Sequence, residues 1–413
     1  MLRSARSAVA LVCAVICIAC GSSRDGQSRD TGRASGDTTV VLSKGDGVWG
    51  PVHDLTEVLR VPGNTKETTF GRIQNLAAAA DGGVFVFDTK GPDGAIVRQF
   101  DANGRFVRNI GREGHGPGEY SGPVVSVVES NGVIVVRDMA TISRFLSSGK
   151  FIDGFSIGHS AGIIDVAQAA DGSIYTTAPR TVERPRPGQQ NARRVQPVFH
   201  YDSAGRLVDS SAGEWLHMNA QSGNPPSSFA AHETRFSLSD GRVVVGRSDV
   251  LGFLVIDPSR RHVPLLAKYD APPVPYPHDQ LIELQAAQRK PIDAGGERLP
   301  NPDAAAEVTK FKLPLISIRP DRDGRIWILT AGPSRKLAEP YCNSYVDEHC
   351  VGKSSWSETN RVLGFRADGT FLGEIRFPKR SGSPAYVGDY VWCVAYDSDD
   401  VPTLVKYKLP GPS

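Results

Sequence analysis

The sequence predicts an all-β fold built from about six repeated units. An Asp-Gly or Asn-Gly dipeptide recurs along the body, and a short stretch of alternating apolar and polar residues follows each one. A second turn, such as "DANG", "SSG" or "DSAG", then separates two further strand-like segments. The first turns of the five clear units begin at Asp81, Asn131, Asp171, Asp240 and Asp323. Because an apolar segment also precedes each first turn, every unit is expected to contain four short strands.

A closed ring of such units is favoured over a sandwich, because each small sheet has two faces that its neighbours in a ring can cover. The last unit, "GDYVWCVAYDSDDVPTLVKYKLP", is one strand short, whereas "LTEVLRVPG" near Leu55 is a strand without a unit. Joining the two would complete one blade from both ends of the chain. The sequence therefore predicts a six-bladed β-propeller over residues 50–413. Large side chains just after the first turns are expected to pack between blades: Phe85, Ile134, Tyr175, Val244, Trp327 and Trp392.

One insertion, residues 271–313, has a helical pattern and is predicted to lie between the fourth and fifth blades. Asp279 is placed to cap a first helix, and Asn301 followed by Pro302 is the start signal of a second. This helical insertion could roof one end of the central channel, or it could be a packing appendage on the propeller.

The N-terminus, "MLRSARSAVALVCAVICIACGSS", is typical of an export signal. A basic start precedes an apolar run that is too short to span a bilayer. The run ends at Ala19-Cys20, which resembles the cleavage point of a bacterial lipoprotein, although Cys17 replaces the usual Leu. By that resemblance residues 1–20 are a lipoprotein signal peptide and Cys20 is the lipid-bearing first residue of the mature chain. An ordinary secretory signal is the alternative.

Residues 21–49 are predicted to be a disordered tether, because their start is rich in Gly, Ser and charged residues and poor in large apolar ones. An Asp directly after the lipid-bearing Cys would resemble an inner-membrane retention signal, but Gly21 stands at that position. The expected location is therefore outside the cytoplasm, with the chain lipid-anchored to the outer membrane or cell surface, or periplasmic.

Charge and cysteine content narrow the classes further. The chain has 47 Lys and Arg against 45 Asp and Glu, and this balance argues against a nucleic-acid binder. Cys342 and Cys350 flank a short loop and are predicted to form a disulfide in an exported protein. Cys393 lies in a strand pattern and is expected to be a buried thiol. Without a second Cys pair at metal-ligand spacing, a zinc site is not expected.

The stretch "VFVFD…AIVRQFDANGRFVRNIGREGHGPGEY" resembles an NHL repeat, and the whole body resembles the six-bladed propeller lipoproteins of environmental bacteria. The resemblance is strongest in the first two units and weak in the sixth. It implies the propeller fold and an envelope location, but such repeats are poor guides to function.

The stretch "NIGREGHGPGEY" is glycine-rich but lacks the third glycine and the following helix of a phosphate loop, so it is predicted to connect two blades. Its residues Arg112, His115 and Glu119 are candidate ligand-binding residues, because such connections border the propeller faces. Arg72 and Arg112 are the preferred anchors for an anionic group, since a guanidinium offers a planar fork of donors. The alternative is that both pair with nearby acids and hold the loop in place.

The innermost strands supply the second set of candidates. Asn75, Ser126, Asp165, Ser237 and Ser317 are expected at equivalent positions facing the channel. Asn75 and Asp165 are retained as candidate ligand-binding residues. The lactonase-type propellers, which the chain resembles in fold, hold a divalent metal with several converging carboxylate and amide groups. Here those two residues could supply two ligands, and no third is apparent.

The sequence favours a binding or scaffolding protein at the cell envelope. An envelope protein, a peptide or a glycan is the expected partner, nucleic acid is not, and a monomer is expected. No catalytic residue, metal ligand or cofactor is assigned. The alternative is a metal-dependent hydrolase or lyase with Ca²⁺ or another divalent metal on the central channel near Asp165.

Overall fold

The computed structural model describes the following residues: 30–34, 38–91, 94–120, 124, 126–138, 141–157, 165–177, 180–183, 191–195, 197–211, 218–221, 233–257, 262–288, 310–342, 353–378, 380–397, 399 and 401–411. Six sheets, each with four antiparallel strands at its centre, form the blades of a propeller. The first strands of neighbouring blades contact one another from the first blade to the fifth, and those of the last and first blades also touch. The first strand of each blade is therefore innermost, and the fourth lies on its outer side.

Blades 1 to 3 are each formed by consecutive segments of the chain. The strands of blade 1 are Ile73–Ala78, Val84–Gly91, Gly94–Phe100 and Phe106–Ile110. Those of blade 2 are Ser126–Ser130, Val133–Arg137, Thr141–Leu146 and Phe151–Ser156. Those of blade 3 are Asp165–Gln168, Ile174–Thr177, Val198–Tyr201 and Leu207–Ser211.

Blades 4 to 6 each include a strand from the N-terminal part of the chain. Blade 4 is formed by Glu233–Ser237, Val243–Arg247, Gly252–Ile256 and Leu265–Tyr269, with Thr38–Ser43 and then Asp30–Ala34 added outside. Blade 5 is formed by Ser317–Pro320, Arg325–Thr330, Arg361–Arg366 and Phe371–Arg376, with His53–Asp54 outside. Blade 6 is formed by Ser381–Val387, Tyr390–Tyr396, Pro402–Lys408 and Thr56–Arg60.

Smaller pairings lie in the connections between these strands. They are Arg112–Glu113 with Glu119–Tyr120, then Arg180–Glu183 with Asn191–Val195 and Met218–Gln221, and Ser334–Cys342 with Lys353–Glu358.

The recurring Asp-Gly dipeptides form the turns between the first and second strands. Gly82, Gly172, Gly241 and Gly324 have φ values of 85°, 85°, 83° and 76°, a conformation that glycine adopts at little cost. The preceding aspartate bonds the turn, as where Asp81 Oδ1 accepts the Gly83 amide at 2.9 Å. The turn chemistry thus explains why the repeat is visible in the sequence.

The closing of the ring confirms the sequence prediction for blade 6. Thr56–Arg60 pairs antiparallel with Pro402–Lys408, so the fourth strand of this blade comes from the N-terminus. This arrangement joins the two ends of the chain within one sheet.

The segment before this strand differs from the expectation of a disordered tether over 21–49. Residues 38–43 form a strand parallel to Leu265–Tyr269, and the Trp49 amide donates to Leu372 O at 2.7 Å. Residues 38–60, which we call the N-terminal clasp, thus run along the outer edges of blades 4 and 5 and into blade 6. Residues 1–29 and 35–37 lie outside the described residues.

All six predicted side chains pack between blades, but Ile134 of blade 2 does so one register position away from the others. Phe85, Tyr175, Val244, Trp327 and Trp392 occupy equivalent positions in their second strands and pack toward the next blade. In blade 2 the equivalent residue is Val135, and Ile134 packs toward blade 1 instead. A one-residue shift in a strand reverses the face that a side chain occupies.

An α-helix, His278–Gln288, follows the last strand of blade 4 in the chain and precedes the first strand of blade 5. The second predicted helix start, Asn301-Pro302, lies outside the described residues. Within the described ranges, no helix has the length and apolar content needed to cross a membrane. Cys393 is fully buried, and this burial raises the pKa of its thiol well above the ordinary value.

Candidate binding surfaces

The connection between blades 1 and 2 carries three of the residues predicted to bind a ligand, and two of them bond to each other. Arg112 Nε donates to Glu119 Oε1 at 2.7 Å, and the other Glu119 oxygen accepts the Gly116 amide at 2.8 Å. The Arg112 side chain is 76% exposed, and His115 is exposed at the tip of the loop. The Glu119 carboxylate thus connects the side chain of Arg112 to the backbone of the turn.

Glu119 is the centre of this loop. The amide of Gly116 and the guanidinium of Arg112 lower the pKa of the Glu119 carboxyl below its ordinary value. Gly114 has a φ of 153°, and a Cβ there would lie 2.1 Å from a Glu119 oxygen. The close approach of this carboxylate thus explains Gly114 and, with a Cβ at 3.1 Å from the same oxygen, Gly116. A ligand-binding role for Arg112, His115 and Glu119 stays a prediction.

Arg72 lies beside a buried ion pair of blade 1. Asp88 accepts its backbone amide at 2.9 Å and receives Arg98 Nη1 at 3.0 Å, both side chains of the pair being buried. Arg98 also donates to Thr69 O, so the pair fixes the backbone on both sides of residues 70 and 71. The Arg72 side chain itself is exposed at the start of an innermost strand.

The residues predicted to face the channel share a register with one exception. Asn75, Ser126, Asp165 and Ser317 each pair with the residue of the second strand that lies six positions after the Asp or Asn of the first turn. In blade 4 that register position is Thr234, three residues before Ser237, so the alignment of Ser237 was wrong. Asn75 is half-buried, and its Oδ1 accepts the amide of the next residue at 2.9 Å.

The metal alternative gains no ligand set from the described residues. Among them, no three His, Cys, Asp or Glu side chains lie close enough to hold one ion. The side chain of Asp165 lies outside what the structure describes, and blade 2 separates its strand from that of Asn75. Cys350 is also outside the described residues, so the disulfide with Cys342 stays a prediction.

A larger site lies on the face formed by the hairpin turns, where blades 4, 5 and 6 meet. A cavity of about 590 Å³ is lined by turn residues from all three blades, including Arg242, Arg325, Arg366, Asp323 and Asp389. A second cavity of about 360 Å³ shares Arg242 and Ala367 with the first and continues toward the outer part of blade 4. We call the two together the blade 4–6 groove.

The floor of this groove is fixed by bonds between blades 5 and 6. The Gly388 amide donates to Asp323 Oδ2 at 2.8 Å, and Arg325 Nη1 donates to Gly388 O at 2.7 Å. Arg325 is anchored in turn by Asp321, whose Oδ2 receives its Nε at 2.6 Å. Burial raises the pKa of Asp321, while the donors on Arg325 and Trp327 oppose that rise. The amide and the carbonyl of Gly388 are thus both held by blade 5.

Two charged side chains of the groove are left without a partner. Arg366, in the turn between the last two strands of blade 5, makes no side-chain hydrogen bond or ion pair among the described residues. The same holds for the carboxylate of Asp389, in the first turn of blade 6. Both are exposed. The groove therefore presents one cation and one anion that its own structure does not neutralise.

The blade 4 end of the groove combines an oriented imidazole with apolar side chains. His262 Nδ1 lies 2.7 Å from Asp257 Oδ2, and the same oxygen accepts the His262 amide at 3.0 Å. The Asp257 side chain is almost fully buried, whereas the imidazole is exposed. Val263 and Leu265 complete this end.

The sequence did not predict this groove, because its residues were assigned only to hairpin turns. The available signal was the repeated "DGR" at Asp240–Arg242 and Asp323–Arg325, which places an arginine directly after the first turn of two adjacent blades. Turns that lie on one face of a propeller bring such residues together although they are far apart in the chain.

Comparison with known proteins bears on the fold. A family model described as a six-bladed β-propeller matches residues 33–168, which include blades 1 and 2. No curated protein matches the sequence.

Solved structures that resemble the chain share little sequence with it. A Bacteroides fragilis protein predicted to be exported is 11% identical, with 89% of this chain and 99% of the other covered, at a TM-score of 0.49. The WD40 domain of Neurospora crassa Pan2 is 10% identical, with coverage of 87% and 97% and a TM-score of 0.39. The virginiamycin B lyase of Staphylococcus aureus is 11% identical, with coverage of 86% and 88% and a TM-score of 0.34. Strand pairing around the closed ring and the family match together make the chain a six-bladed β-propeller.

Proposed function

We propose that this protein is an exported, lipid-anchored binding protein of the cell envelope, with the blade 4–6 groove as its binding surface. Its partner would be an envelope protein, a peptide or a glycan. The NHL-like repeat serves in this proposal as a rigid scaffold that brings turns of three blades together.

The observation that carries the proposal is the pair of unpartnered charges, Arg366 and Asp389, in a groove with a fixed floor. Exposed charges that have no internal partner stay available for a ligand without first breaking a bond. The amide and the carbonyl of Gly388 are both hydrogen-bonded to blade 5. The turn beside Asp389 therefore needs little ordering when a ligand binds. The first cavity is an open depression of about 590 Å³ on the surface, which suits a partner that lies across it.

The location rests on the N-terminal sequence alone. The export pattern and the lipobox-like end at Cys20 support lipid attachment, and residues 21–29 would lead from the anchor to the first described strand. Labelled fatty acid should be incorporated into the wild type and not into the Cys20→Ala variant. Incorporation that survives this change would refute the anchor.

The binding role is tested with arrays of envelope glycans and peptides. The purified protein is compared with Arg366→Ala/Asp389→Ala and with Arg105→Ala. Arg105 is a suitable control because it is an exposed arginine in a hairpin turn of blade 1, outside the groove. We expect the double variant to lose binding that the wild type and the control retain. Equal binding by all three proteins would remove the groove from the function.

A further inference from the structure

Building on the proposed function, we propose that the blade 4–6 groove binds an extended peptide segment that carries both an acidic and a basic side chain. We infer this ligand class from the distribution of charged and apolar side chains along the groove. A protein partner would present such a segment from a loop or a terminus.

The cationic part of the groove lies where blades 4 and 5 meet. Arg366 is unpartnered there, and Arg242 uses only its Nε, which donates to Asp240 Oδ2 at 2.7 Å. The two terminal nitrogens of Arg242 have no partner among the described residues. Two guanidinium groups with free donors suit a carboxylate, because the planar fork of arginine matches its two oxygens. This part would hold the acidic side chain of the peptide.

The anionic part lies toward blade 6. Asp389 is unpartnered, and Asp323 and Asp368 line the same cavity. Asp323 is already engaged by Arg325 and by the Gly388 amide, so Asp389 is the carboxylate left for a ligand. A lysine or arginine of the bound segment would pair with it. A ligand with only negative charge would meet repulsion at this end.

The outer part on blade 4 has apolar side chains beside the Asp257–His262 pair. Val255, Val263 and Leu265 line the second cavity, and Val263 is exposed despite its aliphatic side chain. An apolar residue of the segment, next to the acidic one, would cover this surface. Burying it would contribute about 25 cal/mol per Å² of apolar area.

A peptide is favoured over a glycan by what the lining lacks. The described residues that line the two cavities include no Trp, Tyr or Phe. Flat aromatic faces are the usual packing surface for sugar rings. Paired opposite charges beside aliphatic side chains, in contrast, match the alternating side chains of an extended polypeptide.

The test is selection of a random peptide display library against four proteins: the wild type, Arg366→Ala, Asp389→Ala and the control Arg105→Ala. We expect the wild type and the control to enrich peptides that contain both an acidic and a basic residue. Arg366→Ala should lose the enrichment of acidic residues only, and Asp389→Ala that of basic residues only. For individual peptides each loss should weaken binding about two- to fivefold, the range of an exposed ion pair.

Each other outcome overturns this inference. If the charge content of the selected peptides is the same for all four proteins, or if the wild type enriches none, the groove is not a peptide site. If glycans, but not peptides, bind in a manner that needs Arg366 or Asp389, the proposed binding function stands and the peptide assignment falls. If neither class of ligand responds to these variants, both fall.

Discussion

The outer edges of blades 1 to 3 and of blade 5 have the same backbone but opposite surroundings. In each, the register shifts between the third and fourth strands, which leaves one extra aliphatic residue in a β-bulge. Val107, Ile152 and Val208 at this position are 37%, 44% and 57% exposed, whereas Leu372 of blade 5 is 4% exposed. The difference is the N-terminal clasp, which bonds to the backbone of Phe371 and Leu372.

A second pair of positions explains why the clasp lies on blade 5. Gly364 and Gly373 form a cross-strand pair there, and a Cβ on either would lie 3.0–3.1 Å from the rings of Trp49 or Trp327. Trp49 packs over the two glycines and stacks on Trp327, at 5.9 Å between ring centroids. The absence of side chains at this pair makes room for an indole.

The same pair of positions in the open blades carries polar side chains. It is Arg144 with Asp153 in blade 2, bonded at 2.5–2.6 Å, and His200 with Asp209 in blade 3, at 3.9 Å. Charged pairs and bulges at an outer edge discourage the addition of another strand. The outer edge of a blade is therefore protected in one of two ways. Either it carries such a polar side-chain pair, which we call the polar guard, or another segment of the same chain covers it.

Removal of the Trp49 indole should have the largest effect on the difference between blade 5 and the open blades. Trp49→Ala should lower the free energy of unfolding by about 3–5 kcal/mol, because it empties a buried aromatic site between blades 5 and 6. Urea denaturation followed by circular dichroism measures the change. Ile152→Ala on the open edge of blade 2 is the control, with an expected change within about 0.5 kcal/mol. Similar losses for both would mean that the clasp adds no stability of its own.

The bulge residues allow a matched test at one repeat position. Leu372→Ala should cost about 2–4 kcal/mol, since the side chain is buried under the clasp. Val208→Ala, at the equivalent exposed position, should change stability by less than about 0.5 kcal/mol. A large loss at Val208 would show that its edge is covered in solution.

A methyl group at the seat of Trp49 sharpens the comparison. Gly373→Ala places a Cβ 3.0 Å from the Trp49 ring, at a φ of 147°. We expect a loss of about 1–3 kcal/mol, as for other overpacked sites. Asp153→Ala changes the equivalent position of blade 2 and should cost about 1 kcal/mol or less. Thermal melting compares the two, and a greater loss for Asp153→Ala would contradict the packing argument.

The polar guard is expected to be weak in energy. A double-mutant cycle with Arg144→Ala and Asp153→Ala should give a coupling of about 0.2–1 kcal/mol, because Asp153 is half exposed. The coupling should fall as salt is added, since salt screens exposed charges. A coupling that does not respond to salt would point to packing instead of charge.

The smallest effect concerns the loop between blades 1 and 2. The pKa of Glu119 is lowered in the folded protein from its ordinary value of 4.5. Its contribution to stability is therefore complete above that pH and is lost as the pH falls through the folded pKa. Stability measured from pH 6 to pH 3 should fall slightly less steeply for Glu119→Gln than for the wild type. Identical slopes would show that this carboxylate does not support the loop.

Local patterns allowed most of the fold to be predicted. The Asp-Gly turns marked the first hairpin of four blades, and the missing strand of the last unit led to Thr56–Arg60. The alignment failed at two positions although a turn dipeptide marks both blades. In blade 4 the register position shared by the other predicted channel residues is Thr234, three residues before Ser237, and in blade 2 the equivalent of the other inter-blade residues is Val135 and not Ile134.

The clasp and the groove could not be predicted from local patterns. Residues 38–49 were assigned to a tether because their partners, near Leu265 and Leu372, are far away in the chain. Arg366 and Asp389 line the same cavity only because blades 5 and 6 lie side by side. Of the six predicted ligand residues, the structure joins Arg112 to Glu119 within one loop.

The closure of blade 6 has a consequence for the time course of folding. Arg60 and Val405, near opposite ends of the chain, must meet before the ring is complete. Contacts of such long sequence separation form slowly, because the intervening chain loses much entropy when its ends come together. During synthesis Thr56–Arg60 emerges early and has no partner in blade 6 until Pro402–Lys408 has been made. We therefore expect truncation of the last strand to leave both ends of the chain exposed to proteases and aggregation, although most of the blades would be intact.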